Sequence, residues 1–242
     1  MADNSAIEWT EATWNPVTGC DRISPGCAHC YARTFAERWR GVPGHAYEQG
    51  FDMRLWPERI DQPLRWKRPR QIFVNSMSDL FHPEVPDEFI GEVFATMVEA
   101  DQHVFQILTK RPERLLELAD ELPWPPHVWM GVSIENRRFV HRAYLLREVP
   151  AAVRFISAEP LLGPLEGLDL TDIHWLIAGG ESGAGHRPIR EEWVLDLRDR
   201  CVDEGVAFFF KQWGGFRPKS NGRLLEGREW NAMPAPSEEA LV

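Results

Sequence analysis

The 242-residue chain has only four cysteines, too few and too unevenly placed for a disulfide framework. It has no apolar run that approaches the length of a membrane span. The opening residues Met1-Ala2-Asp3-Asn4-Ser5 lack the basic start and apolar core of a secretory leader. No internal repeat is present. Positive charge is not in excess either. The chain has 27 Lys and Arg against 37 Asp and Glu, a net charge of −10, which argues against a general nucleic-acid coat. These absences lead to the expectation of a soluble, reduced, cytoplasmic protein with no membrane partner.

The composition, 43% hydrophobic and 26% charged, suits one domain of barrel size. A chain of this length can bury a core that needs no disulfide. The expected organisation is a single domain over residues 1–230. A polar tail over 231–242 follows, with Pro234, Pro236, Ser237, Glu238 and Glu239, and is expected to be weakly ordered. Charge is unevenly spread. Residues 1–70 carry 10 basic and 9 acidic side chains, net +1, and the remainder carries 17 and 28, net −11. The densest basic run is Arg65-Trp66-Lys67-Arg68-Pro69-Arg70. It is either a phosphate-backbone contact, with tryptophan among the cations, or a solvated connection before a strand.

Short β-rich runs recur at 72–75, 103–108, 128–132, 153–156, 174–178 and 206–210, and a seventh strand is expected near 13–18. Most are apolar on both faces, as buried parallel strands are. Helical patterns alternate with them over 87–100, 111–122, 136–147 and 191–204. Another follows the cysteines over 31–39. Repeated strand–helix units predict right-handed crossovers and an α/β fold with a parallel sheet. A full or partial (β/α) barrel, TIM barrel-like, fits best. A doubly wound open sheet is the alternative.

In such barrels the chemistry sits at the C-terminal strand ends. Here those ends are polar. They read Ser76-Met77-Ser78-Asp79, Thr109-Lys110-Arg111, Ser133-Ile134-Glu135-Asn136, Ser157-Ala158-Glu159, Gly179-Gly180-Glu181-Ser182 and Lys211-Gln212-Trp213. Helix caps explain one or two such ends, and six together point to a pocket. Lys110 and Arg111 can clamp a carboxylate or phosphate. Glu135 and Glu159 can accept ribose hydroxyls or protons. Trp213 either stacks on a base or plugs the barrel.

The remaining signal is the cysteine loop, in which Cys20, Cys27 and Cys30 follow the spacing C-x6-C-x2-C. Three thiolates without a fourth ligand suit an iron–sulfur cluster with one open iron. Structural zinc is the competing reading, with His29 as fourth ligand, though adjacent ligands crowd a tetrahedron. Cys201 lies on a helix of apolar periodicity and is expected in the core.

A three-cysteine loop feeding such a barrel resembles the radical S-adenosylmethionine (radical SAM) superfamily. The segments Thr13-Trp14-Asn15-Pro16-Val17-Thr18-Gly19-Cys20, Pro25-Gly26-Cys27, Cys30-Tyr31-Ala32 and Asn75-Ser76-Met77-Ser78-Asp79-Leu80-Phe81 are more specific. So are Leu108-Thr109-Lys110-Arg111-Pro112, Gly131-Val132-Ser133-Ile134-Glu135-Asn136, Ser157-Ala158-Glu159-Pro160-Leu161 and Gly179-Gly180-Glu181-Ser182-Gly183. Over residues 6 to 215 they resemble the phage Gp37/Gp68 family, also carried as a domain of unknown function, DUF5131. The resemblance implies that Cys20, Cys27 and Cys30 hold a [4Fe-4S] cluster whose open iron binds S-adenosylmethionine. It assigns Tyr31, Asn75, Ser76, Ser78, Asp79, Ser133 and Glu135 to that cofactor. Lys110, Glu135, Glu159, Glu181 and Lys211 are left for catalysis. The superfamily's usual first gap is three residues rather than six, and its Gly-Gly-Glu stretch follows the second strand rather than a later one.

Three functions remain open from the sequence. The first is a radical SAM enzyme that modifies or repairs a nucleic acid or nucleotide, fed by an electron-donor protein. The second is a non-catalytic module, stapled by zinc or a cluster, that binds nucleic acid or a partner protein. The third is a small-molecule enzyme with an acidic pocket for a cationic substrate.

Overall fold

The computed structural model describes residues 5, 7–217 and 219–234. The first half of the chain forms β1 (Ala12–Trp14), β2 (Val17–Thr18), α1 (Tyr31–Glu37), β3 (Arg54–Leu55), β4 (Gln71–Val74), α2 (Asp87–Glu99) and β5 (Val104–Thr109). There follow α3 (Pro112–Leu118), β6 (Val128–Ser133), α4 (His141–Arg147), β7 (Arg154–Ala158), β8 (Trp175–Gly179), α5 (Glu191–Asp203) and β9 (Ala207–Gln212). Seven strands form one parallel sheet in the order β1-β4-β5-β6-β7-β8-β9. Spatial order follows chain order throughout. The doubly wound alternative needs a reversal of that order and is excluded. The sheet curls, and β1 and β9 remain its two edges, so the fold is a half-barrel.

Successive side chains along a strand face opposite ways, which divides the core in two. Ile72, Val74, Phe105, Ile107, Met130, Ile156, Leu176 and Phe208 face outward. They pack under Phe94 of α2, Leu115 of α3, Leu146 of α4 and Leu197 of α5. Phe73, Trp129, Phe155, Trp175 and Phe209 face into the curl. Trp9, just before β1, turns inside to meet them, with ring centroids 4.7 Å from Phe73 and 6.0 Å from Trp175. Gln106 Nε2 donates to Trp9 O at 3.2 Å and fixes that crossing. The result is an aromatic floor inside the curl. Trp213 does not provide the plug. It packs on Phe210 with the outer core, and its Nε1 donates to Leu224 O at 2.8 Å.

The expected strand near 13–18 is two strands. Pro16 interrupts it, since proline cannot donate to a ladder. β1 joins the sheet, while β2 pairs antiparallel with β3. The expected helix over 136–147 starts as a 3-10 turn at Arg137–Phe139, and the one over 111–122 ends at Leu118. No helix links β7 to β8 among the described residues. Leu161, Leu165, Leu168 and Leu170 cover that stretch instead.

The basic run over 65–70 immediately precedes β4, so it lies at the N-terminal ends of the strands. The cysteine loop and the polar strand ends lie at the opposite ends of the sheet. The run therefore places no charge beside the cysteine loop. Arg65 pairs with Asp61, and Arg70 stacks 5.3 Å from the Trp66 ring. At the other end of the chain, Asn231 bridges Phe209, and Ala232 N donates to Phe208 O at 3.1 Å. Of the expected tail, residues 235–242 lie outside the described residues. No helix among the described residues is long and apolar enough to cross a membrane.

Candidate functional site

A cavity of about 510 Å³ opens above the aromatic floor at the C-terminal strand ends, within the size range of small-molecule sites. Cys20, Cys27 and Cys30 all line it, and all three thiols are free. Tyr31, Asn75, Ser76, Ser78, Asp79 and Ser133 line it as well. So do Lys110, Glu159, Glu181 and Lys211. Glu135 is the exception. Its side chain is fully buried and is not part of the wall.

Glu135 serves the cysteine loop from beneath. Ser24 Oγ donates to Glu135 Oε1, and Arg142 Nη1 donates to Oε2 at 3.3 Å. Lys110 Nζ lies 3.9 Å from Oε1. Gly26 packs so closely that a Cβ there would meet Glu135 Oε1 at 2.6 Å. This carboxylate fastens the loop from beneath. Arg142, 4% exposed, is its buried partner.

Glu181 holds the same loop from the end of β8. Arg187 N and Nε both donate to Glu181 Oε2 at 2.9 Å, and Arg187 Nη2 donates to Oε1. His29 Nδ1 meets Oε2 at 2.9 Å, and Arg187 Nη2 reaches Pro25 O at 2.9 Å. Burial opposes the charge of Glu181, but Arg187 and His29 outweigh it and hold its pKa down at about 2. The loop thus spans the mouth of the half-barrel and is fastened at β6 and at β8. On its near side, Arg33 Nη2 of α1 donates to Cys20 O at 2.9 Å.

The β4 end is equally fixed. Asn75 sits at φ +60°, a left-handed conformation that asparagine tolerates. Its Oδ1 accepts from Val17 N at 3.3 Å, while its buried Nδ2 has no partner among the described residues. Asn15 Oδ1 accepts from Ser76 Oγ at 3.2 Å and from Met77 N at 2.9 Å. Ser78 Oγ donates to Val17 O at 2.8 Å, and Tyr31 OH donates to Ser76 O at 2.6 Å. The Asp79 carboxylate accepts from Phe81 N, Thr109 Oγ1 and Lys110 N at 3.1, 2.7 and 3.0 Å. These groups hold the cavity wall in shape. On the opposite wall Lys211 Nζ lies 3.0 Å from Glu159 Oε1, an ion pair that is not spent on the loop.

The three thiols differ electrostatically. Burial, then the nearby Asp79 charge, pushes Cys20 up to about 12. Burial also opposes the Cys27 thiolate. Hydrogen bonding from the Ile23 backbone, the Lys110 charge and the Ser24 backbone prevail over it and lower its pKa. Among the described residues no three His, Cys, Asp or Glu side chains converge on one point where a single ion would sit. Cys201 is apart from all this. It is fully buried in the outer core, and burial raises it to about 12.

Ser24, Asn15, Arg142 and Arg187 escaped the sequence reading. Asn15 stood within a quoted motif, and Ser24 lay between the cysteines, but neither carried a spacing signal.

The sequence profile of the family described as "Protein of unknown function (DUF5131)" matches residues 4–234. No curated protein matches in sequence. Among solved structures, a cysteine-to-serine variant of spore photoproduct lyase is similar with a TM-score of 0.53 at 17% identity, over 86% of this chain and 78% of that one. Spore photoproduct lyase complexed with dinucleoside spore photoproduct gives a TM-score of 0.43 at 16% identity, over 67% of this chain and 54% of that one. The chain spans about half the length of that second protein. The likeness is one of fold.

Proposed function

The chain belongs to this family of unknown function, DUF5131, and on that premise we propose that it is a radical SAM-type enzyme acting on a nucleic acid or nucleotide. Cys20, Cys27 and Cys30 would hold a [4Fe-4S] cluster, with S-adenosylmethionine on its open iron. The observation that carries this reading is the placing of three free thiols on one cavity at the C-terminal mouth of a half-barrel. The donor set suits a cluster better than a lone ion. Zinc draws its ligands to within about 2.3 Å of one point, whereas a four-iron cluster takes each thiolate on a different iron. When bound, the cluster and S-adenosylmethionine would together supply a 5′-deoxyadenosyl radical.

The rest is the work of this chain's residues. Asn75 offers its unpartnered Nδ2 at the cavity wall, a donor for a cofactor carboxylate or hydroxyl. Tyr31, 59% exposed beside Cys30, presents a ring on which a base can stack. The Lys211–Glu159 pair offers a donor and an acceptor together, the pattern that a base edge requires. Arg22 lines the cavity at an exposed position and has no ion-pair partner among the described residues, so it can take a phosphate. The aromatic floor keeps water from entering below. An electron-donor protein would reduce the cluster.

The test is anaerobic reconstitution of wild type and Cys27→Ala, reduction with S-adenosylmethionine, and chromatography for 5′-deoxyadenosine. Product from wild type alone is expected. Zinc in place of iron, with no product, would sink the proposal in favour of a metal-stapled binding module.

A further inference from the structure

The Thr109-Lys110-Arg111-Pro112 turn carries two consecutive cations, and they address different cysteines. Lys110 lies on the cavity wall and acts on Cys27 through its charge. Arg111 is not part of that wall. Gly19 bridges Ser78, and Asp79 Oδ2 accepts from Lys110 N at 3.0 Å, so Cys20 and Arg111 flank the same carboxylate, and the Arg111 charge acts on Cys20. Nε and Nη2 of Arg111 are buried and have no hydrogen-bond partner among the described residues. A buried charged donor left unpaired is costly, so such groups are normally matched. Asp79 is not bonded to them; its carboxylate accepts instead from Phe81 N, Thr109 Oγ1 and Lys110 N. Nor is Arg111 free to swing from its backbone. Thr109 Oγ1 accepts from Arg111 N at 2.9 Å while donating to Asp79 Oδ1 at 2.7 Å, and Pro112 opens α3.

We propose that Lys110 and Arg111 are the counter-charges of the cysteine-held cluster, with the unpartnered Arg111 N–H groups donating to sulfur on the Cys20 side. This rests on the cluster reading given above. A four-iron cluster with three thiolate ligands is an anion, and more so after one-electron reduction. A guanidinium beside it stabilises the reduced form more than the oxidised form, and N–H donors to sulfur act in the same direction. Arg111 is therefore a positioning residue that sets the reduction potential from behind the wall. It touches neither S-adenosylmethionine nor the substrate.

The experiment uses the reconstituted full chain as wild type, Arg111→Lys, Arg111→Gln and Arg111→Met. Iron and sulfide are counted first, and the midpoint potential is then read by an EPR-monitored redox titration. The expected midpoint is highest in wild type, lower in Arg111→Lys and lowest in Arg111→Met. Equal midpoints at wild-type iron content would overturn the inference and leave the cluster reading standing. Wild type without iron and sulfide would overturn the cluster reading, and the inference with it. If Arg111→Met does not fold, Arg111→Lys and Arg111→Gln carry the same comparison.

Discussion

Arg187 closes on Glu181 with both its backbone and its side chain: N and Nε each donate to Oε2 at 2.9 Å. The same guanidinium reaches Pro25 O at 2.9 Å, two residues before Cys27. The pair thus couples the end of β8 to the cysteine loop. Arg187→Met leaves a carboxylate, 6% exposed, without its main partner. Arg187 is 33% exposed, and the carboxylate keeps the Arg187 backbone N–H and His29, so the loss is about 1–2 kcal/mol. The variant should show that loss in denaturant titration, and should also retain less iron after reconstitution. Unchanged iron retention would show that the loop does not need this fastening.

The same carboxylate sets an acid limit. Its folded pKa of about 2 lies below its ordinary value of 4.5. Its contribution is therefore complete above pH 4.5 and is lost as pH falls through 2. Thermal melts of wild type and Glu181→Gln across this window should differ at pH 6 and converge near pH 2. A constant difference between the two melts would contradict the assignment.

The thiols should react unequally in the metal-free protein. Cys27 is held below the ordinary thiol value, whereas Cys20 and Cys201 are raised to about 12. Because the thiolate is the nucleophile, iodoacetamide at neutral pH should label Cys27 well ahead of those two. Peptide mass spectrometry over a time course reads the order. Faster labelling of Cys20 would contradict the charge arrangement described here.

Gly26 tests the contact between the loop and Glu135. A Cβ there would lie 2.6 Å from Oε1 and 2.8 Å from Cγ of Glu135. Glu135 is buried and hydrogen-bonded, so the loop rather than the carboxylate must give way. Gly26→Ala should leave the melting temperature nearly unchanged and cut iron incorporation several-fold, since the sheet is untouched while the thiols move. Wild-type iron content in this variant would show the loop to be more compliant.

The half-barrel was legible because strands covered on both faces leave continuous apolar runs. Trp175-Leu176-Ile177-Ala178 is such a run, and its four side chains are all fully buried. The cavity wall was legible for the same reason, since each polar group that follows a run must emerge at one end of the sheet. The fastening of the loop was not. Ser24 and Glu135 are 111 residues apart and His29 and Glu181 are 152 apart, and no local pattern pairs residues at such distances. The sequence reading therefore took Glu135 for a cavity residue, although its carboxylate is turned under the loop. The basic run over 65–70 invited a phosphate, but its position just before β4 already puts it at the opposite end of the sheet. Tryptophans were visible without their roles. Trp14 donates to Arg59 O at 2.7 Å and Trp56 to Thr18 Oγ1 at 2.8 Å, which makes them parts of the scaffold.

The central claim is that three cysteines of one loop hold a four-iron cluster. The direct measurement is iron and acid-labile sulfide per chain after anaerobic reconstitution, in wild type and in Cys20→Ala, Cys27→Ala and Cys30→Ala. The account predicts about four irons and four sulfides in wild type, and near-complete loss in each variant. An EPR signal of the reduced protein that changes when S-adenosylmethionine is added should accompany the wild-type cluster. Zinc without sulfide, or a cluster that survives loss of any one of the three cysteines, would contradict it.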